Sequence, residues 1–531
     1  MKASAKPALD TAMARPGVHT IVILPRSQAV GLLCVAHLPT LGGAERSLLE
    51  LVDELVSDHW IFCAVVCPSE GALPARLRAR GAAVLIAPLT WWCEPGRHRH
   101  SDDTWLAAGL TALLAVTPRL RAINPDIVWT QTMVIPWGAL AAQILERPHV
   151  WSVCEYGERD HDLRFACPFG AVIAFIGRQS DFVFANSTQL LNALFAGLDQ
   201  SRVDVLHRHI KLDRAEVRRL GRSEHPWKRS TSFRLVVVGA IHKGKGQEDV
   251  IRALAVLRRQ GRDVELALVG SWDDSYRAVL DALIAEEQLD DVVTFRGFQD
   301  EPYAIVLAAD AVVSCARSEA FGRVVVEAML LERPIVYTAA GGHLDYMVDG
   351  ETGLAYQPGD IEGLADRIAR LVDDRDLGSR LGATASERAR QLFTPDRYGG
   401  KVAHRLRDLT RRRGSYPLAA VSNDSLRSLA ALGTRTDRIP MGVDLPEGKA
   451  ELEAGHAIEA ENASLRRAET EMERRHTAAA GNLAERSAVP AEWRNPPLWR
   501  LTAALRSIPG AARRWMAGLK RVATRLRQAR F

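Results

Sequence analysis

From about residue 30 to 410, short continuous apolar runs alternate with longer stretches whose apolar positions recur every three or four residues. GLLCVAH (31–37), IFCAVVC (61–67), AVLIAP (83–88), DIVWTQ (126–131) and HVWSVCE (149–155) read as buried strands. GGAERSLLELVDEL (42–55) reads as a glycine turn running into an amphipathic helix, and AVIAFIGRQSDFVFANS (171–187) as a helix followed by a strand. A second series begins after the polar stretch GRSEHPWKRSTS (221–232). Its strands are RLVVVGA, VELALVG, VVTFRG, AVVSCA and PIVYTA. Its helices are QEDVIRALAVLRRQ, SYRAVLDALIAEEQ, EPYAIVLAAD and RVVVEAMLLE. Strands that are apolar throughout, each followed by a helix, imply parallel sheets covered on both faces. Two such series imply an α/β protein of two doubly wound, Rossmann-like domains facing a cleft, with ligands at the carboxyl ends of the strands.

Beyond this region the pattern changes. We divide the chain into a tail (1–28), an acceptor-side domain (29–212), a donor-side domain (213–410), a linker or partial repeat (411–449), a helical or coiled-coil segment (450–485) and a basic amphipathic tail (486–531). The stretch 421–445 echoes 185–206: each has a polar Ser/Asn start, a short helix and a glycine. Leu452, Ile458, Leu465 and Met472 form an imperfect heptad seam, which fits a short coiled coil or a solvated helix. The 531 residues are 47% hydrophobic and 25% charged, an ordinary soluble composition. The net charge of +5 is concentrated: nine Lys/Arg and no acid lie between Trp499 and Phe531, and the remainder is slightly acidic. With Trp499 and Trp515 among the arginines, this tail suits an anionic membrane surface; no nucleic-acid recognition motif accompanies the charge. The start has no apolar core for a secretory signal, and we expect no membrane span. Seven scattered cysteines without zinc spacing fit a reducing cytoplasm, and RHRHSDD (97–103) reads as a solvated loop rather than a metal site.

Two stretches carry candidate chemistry. GAIHKGKGQ (239–247) follows a strand directly, so its glycines let the backbone curl toward an anion while Lys243 and Lys245 add charge. SEAFGRVVVEA (318–328) holds Glu319 in a strand-exit loop and Glu327 in the helix that follows. Phe321, Gly322 and Arg323 lie at that helix's start, where unpaired N–H groups point outward. A carboxylate suits a vicinal diol, so the two glutamates can read hydroxyls while the helix N-terminus holds a diphosphate. In a glycosidase, by contrast, paired carboxylates flank the scissile bond.

The E-x7-E spacing of Glu319 and Glu327 resembles glycosyltransferase family 4, retaining enzymes of the GT-B fold found in bacterial polysaccharide synthesis. LGGAERSLLELVDEL (41–55), VVVGAIHKGKGQEDVIRALAVL (236–257) and GGHLDYMVDGETGLAYQPGDIEGLADRIARLVDD (341–374) resemble further segments of that family, in the expected order. The resemblance implies a UDP- or GDP-sugar donor and a saccharide or lipid-linked acceptor, as in capsule or O-antigen assembly. It implies no cofactor and no metal. From the cysteine usage we expect a cytoplasmic enzyme, peripheral on the inner face of the plasma membrane if the tail binds there. By resemblance Glu327 would hold the donor ribose and Glu319 the hydroxyls of the transferred sugar. Lys245 and the backbone near Gly322 and Arg323 would neutralise the diphosphate, with Gly42 and Gly43 on the opposite wall. Two departures stand out. Ala240 occupies a position where many relatives have arginine, which Lys243 would replace. WSVCEYGERDHDLRF (151–165) stands where relatives carry a sugar-facing histidine, leaving Glu155 or His161 for that place. A nucleotide-sugar epimerase and a scaffold with a decayed site are the competing readings.

Overall fold

A computed structural model describes residues 30–58, 61–95, 104–212, 217, 227 and 231–411. The expectations for residues 1–28, RHRHSDD, the second copy of the echo, the helical segment and the basic tail fall outside these residues.

The first sheet has seven strands: β1 (Val30–Val35), β2 (Ile61–Cys67), β3 (Ala83–Ile86), β5 (Ile127–Gln131), β6 (His149–Val153), β8 (Phe182–Ala185) and β9 (Val203–Val205). Their order is β3-β2-β1-β5-β6-β8-β9, all parallel. The sequence reading missed β4 (Cys93–Pro95) and β7 (Leu163–Phe165), a small antiparallel pair made by two loops. The second sheet has six parallel strands: β10 (Phe233–Val238), β11 (Val264–Val269), β12 (Val293–Phe295), β13 (Ala311–Ser314), β14 (Ile335–Thr338) and β15 (Leu354–Tyr356). Their order is β12-β11-β10-β13-β14-β15. In both sheets the first strand lies centrally and the order reverses beside it, which opens a crevice at the carboxyl edge between β1 and β5 and between β10 and β13.

Side-chain alternation explains the continuous apolar runs. Leu33 and Val35 pack on one face of β1, and Leu32 and Cys34 on the other. In β10, Leu235 and Val237 pack opposite Val236. Both faces are covered by helices, so no position along these strands needs to be polar.

Two expectations are corrected. The helix Thr104–Ile123 contains a window, Trp105–Ile123, long and apolar enough to cross a membrane by length and composition alone. Its Leu113, Val116 and Leu120 lie in the first domain's core, and 28% of the window is buried. The donor-side domain also does not hold all of 213–410. Tyr398 and, on the helix Lys401–Arg411, Val402, Ala403, Leu406 and Leu409 are buried with Leu32 and Trp129 of the first domain. The chain thus passes between domains twice, near residue 210 and near residue 395. Glu54 ties the two crossings together, accepting from the Gly399 amide at 2.9 Å and pairing with His209 Nδ1.

Candidate active site

The helix Arg323–Leu330 begins with three consecutive valines after its arginine, a poor start for a helix because β-branched side chains lose χ1 freedom there. Tertiary burial overrides that preference: Val325, Val326 and Met329 fill the second domain's core. Gly322 opens the helix in the left-handed conformation, at φ 84° and ψ 53°. A Cβ there would lie 2.7 Å from the His343 ring and the Tyr346 hydroxyl, so glycine is required twice over.

Glu319 lies in the loop before this helix. One carboxylate oxygen accepts from Lys245 Nζ at 2.7 Å and the other from the Gly322 amide at 3.2 Å. Its backbone carbonyl accepts from Gly342 N at 2.7 Å, which pins the loop to the turn after β14. Burial alone would raise the Glu319 carboxyl; the Lys245 ammonium outweighs it, with help from His343, and brings the group down to about 2. Lys245 itself is held above its usual value, Glu319 outweighing the cost of burial.

Lys245 ends a single 3-10 turn, Lys243–Lys245, after β10. His242 caps the turn by accepting from Gly244 N at 3.3 Å. Burial, and then Lys245, hold His242 down to about 4, so the ring is neutral and Nδ1 is free to accept. Gly246 follows at φ 69°, where a Cβ would meet the Cys315 carbonyl at 2.2 Å. This close approach brings the lysine turn against the Glu319 loop.

Glu327 is buried and accepts from Arg323 Nε at 2.8 Å. Arg323 sends its other two nitrogens across the cleft to Glu50 of the helix Gly43–Asp58, both at 2.7 Å. Further contacts join the walls. Asp300 pairs with Arg46 and, at 2.8 Å, with Arg76. Asp345 accepts from the Thr188 amide at 2.7 Å and from His207 Nε2 at 2.8 Å.

The first wall carries acids and imidazoles. His37, just past β1, forms an ion pair with Glu45 at 2.8 Å; burial works against its charge, and Glu45 more than offsets that. Asp160 is buried: Oδ2 accepts from the Tyr156 amide at 2.8 Å, and Oδ1 has no hydrogen-bond partner among the described residues. Its backbone carbonyl faces Gly244 of the lysine turn. Burial raises its carboxyl to about 7, against the pull of Lys245.

The site is therefore a cation and the Gly322 amide beside two carboxylates, at the carboxyl edge of a doubly wound sheet. Family models match both halves: Glycosyltransferase Family 4 over residues 41–214, and Glycosyl transferases group 1 over residues 223–388.

The chain belongs to glycosyltransferase family 4. Among similar proteins is the alpha-D-kanosaminyltransferase of Streptomyces kanamyceticus, 31% identical over 177 residues, covering 33% of this chain and 45% of that protein. Another is the capsular polysaccharide biosynthesis glycosyltransferase CapM of Staphylococcus aureus, 28% identical over 163 residues, covering 31% and 43%. The chain thus spans less than half the length of the curated relatives it matches. Among solved structures, Anabaena HepE in complex with UDP and glucose superposes with a TM-score of 0.59 at 22% identity, covering 71% of this chain and 99% of that one. The lipopolysaccharide glycosyltransferase WaaG does so at 0.54 and 18%, covering 71% and 99%. These likenesses establish the GT-B fold, two Rossmann-like domains.

In this family 4 chain the residues singled out from sequence fall into three groups. Lys245, Glu319, Gly322, Arg323 and Glu327 converge on one edge of the second sheet. Gly42 and Gly43 enter the helix Gly43–Asp58; a Cβ at Gly42 would lie 2.8 Å from Glu45, and Gly43 faces open space. Lys243 is exposed on the lysine turn, and the Ala240 carbonyl accepts from Gln247 at 3.0 Å.

Phe321 and Glu155 sit differently from expectation. The Phe321 ring is buried among Tyr346, Phe393 and His207, so only its backbone borders the site. Its carbonyl accepts from the Tyr346 hydroxyl. Glu155 is buried, with its two oxygens engaged by the Met133 and Cys154 amides, so it anchors the strand-end loop. His161 reaches the cleft, its ring 5.7 Å from that of His242. Sequence reasoning overlooked His37, Glu50, Asp160 and His343. Asp160 lay within the stretch already singled out. Nothing local marked Glu50, an ordinary acid on a helix.

Proposed function

We propose that this protein is a retaining glycosyltransferase, moving a sugar from a nucleoside-diphosphate donor to a saccharide or lipid-linked glycan in cell-surface polysaccharide synthesis. The Lys245–Glu319 pair beside the Gly322 amide carries the reading. It puts a cation, a backbone donor and a hydroxyl acceptor within one side chain's reach of each other. Lys245 turns from Glu319 to the diphosphate when the donor enters, and this frees Glu319 for the hydroxyls of the transferred sugar. Glu327 accepts from the ribose.

As the bond from the anomeric carbon to the diphosphate stretches, negative charge grows on the leaving oxygen. Lys245 and the amides at the start of the helix Arg323–Leu330 stabilise it without reorganising. Each such preorganised donor supplies about 2.7–4 kcal/mol. The acceptor hydroxyl attacks the same face of the sugar, and the departing phosphate takes its proton. The ion pairs between the walls favour a closed cleft, which excludes water from the sugar cation.

HepE has been solved with UDP and glucose, which makes UDP the first nucleotide to try. CapM and WaaG, named for capsule and lipopolysaccharide synthesis, point to a surface glycan as acceptor. The basic tail supports a lipid-linked one, met at the inner membrane face. Thermal shift with UDP- and GDP-sugars, then turnover with mixed acceptors and NMR of the product anomer, tests the reading. Stabilisation by one sugar nucleotide and retention in the product are expected. No stabilisation by any of them overturns the reading, and conversion of the donor without an acceptor replaces it with an epimerase.

A further inference from the structure

The family resemblance gives Arg323 a role only through its backbone, yet its side chain makes the most elaborate polar contact between the two walls. Nη1 and Nη2 bond the two oxygens of Glu50, both at 2.7 Å, and Nε bonds Glu327 Oε1 at 2.8 Å. Glu50 belongs to the first domain and Glu327 to the second. All three side chains are largely withdrawn from water, at 14%, 13% and 8% exposure for Arg323, Glu50 and Glu327.

The end-on pair of Nη groups of a guanidinium matches one carboxylate bidentately, and Nε is left to donate to a second acceptor. Here the fork faces Glu50, and Glu327 receives a single bond from Nε. Glu327 therefore keeps acceptor capacity that a bidentate grip would take up. Without Glu50, the nearest carboxylate for the fork is Glu327 itself, four residues along the same helix. The arginine would then close on Glu327 and consume the lone pairs that a diol needs.

We infer that Glu50 is a positioning residue of the donor site: by holding the Arg323 fork across the cleft, it keeps Glu327 open to the donor ribose. Completion of the donor site is thereby coupled to the approach of the two domains, because Glu50 reaches Arg323 only from the opposite wall. The inference rests on the proposed donor role of Glu327.

The test is calorimetric binding of UDP and GDP to the full chain, comparing wild type, Glu50→Gln, Arg323→Met and the double variant. Glu50→Gln should weaken the preferred nucleotide about tenfold, and Glu50→Asp should recover part of the loss. The double variant should bind more tightly than Glu50→Gln alone, because the arginine that closes on Glu327 is gone. A merely structural Glu50 gives no such rescue. Equal binding by wild type and Glu50→Gln, or additive losses in the double variant, overturns the inference and leaves the glycosyltransferase reading standing. A wild type that binds neither nucleotide removes that reading, and this inference with it.

Discussion

Lys245 and Glu319 meet at 2.7 Å although 74 residues separate them, one from the turn after β10 and the other from the loop after β13. Each holds the other charged in a place where burial opposes charge. Lys245→Ala should lower kcat by roughly 100–1000-fold, the loss expected for one preorganised donor at a developing anion. Glu319→Gln should lower kcat/KM through the sugar, with nucleotide affinity largely kept. Steady-state kinetics beside UDP calorimetry checks both, and near wild-type turnover in Lys245→Ala would remove the assignment.

Glu319 also sets an acid limit on stability. Its folded value of about 2 lies below the ordinary glutamate value, so the folded state binds the proton less readily than the unfolded chain. Its contribution is complete above the unfolded value and fades as pH falls toward 2, a loss of at most about 3 kcal/mol. Urea midpoints for wild type and Glu319→Gln should differ at pH 6 and converge near pH 2–3.

Glu155 and Asp160 act in the opposite sense. Burial raises both to about 7, so the folded state retains protons that the unfolded chain has released. Stability from these groups is present below the unfolded carboxylate values and is lost as pH rises toward 7. Asp160→Asn should flatten the fall in melting temperature between pH 5 and pH 8. An unchanged slope would show that Asp160 titrates normally.

Gly322→Ala places a Cβ 2.7 Å from the His343 ring and the Tyr346 hydroxyl, at φ 84°. A strained backbone of this kind costs on the order of 1–3 kcal/mol, and relaxing it shifts the amide that faces Glu319. Both a lower melting temperature and weaker nucleotide binding are expected. Stability lost without any change in binding would separate the amide from the site.

Tyr398 belongs to the segment that returns to the first domain. Its hydroxyl donates to the Ser47 carbonyl at 3.0 Å and accepts from Arg208 Nη1 at 2.9 Å. Tyr398→Phe removes a partner from a buried guanidinium, a loss of about 1–3 kcal/mol. Denaturant titration should show that loss, and an unchanged midpoint would mean that Arg208 finds another acceptor.

For the basic tail, cosedimentation with vesicles rich in anionic lipid gives the check. A chain ending at residue 498 should bind them less well than the full chain, with the difference shrinking at high salt. Equal binding would detach the tail from the membrane proposal.

The chain's sequence by itself determined the two sheets, because unbroken runs such as LLCV and LVVV are stable only where both faces of a strand are covered. It also determined the local half of the site. Glu319, Gly322, Arg323 and Glu327 lie within nine consecutive residues, and a strand-exit loop followed by a helix leaves them little freedom. Glu50 opposite Arg323, Asp160 against the lysine turn, and the return of Leu406 to the first domain were decided by the tertiary structure. Those contacts depend on how finished elements dock across hundreds of residues. Hydrophobic periodicity says which face of an element is buried; shape and charge complementarity, which arise only once both domains exist, choose what it is buried against.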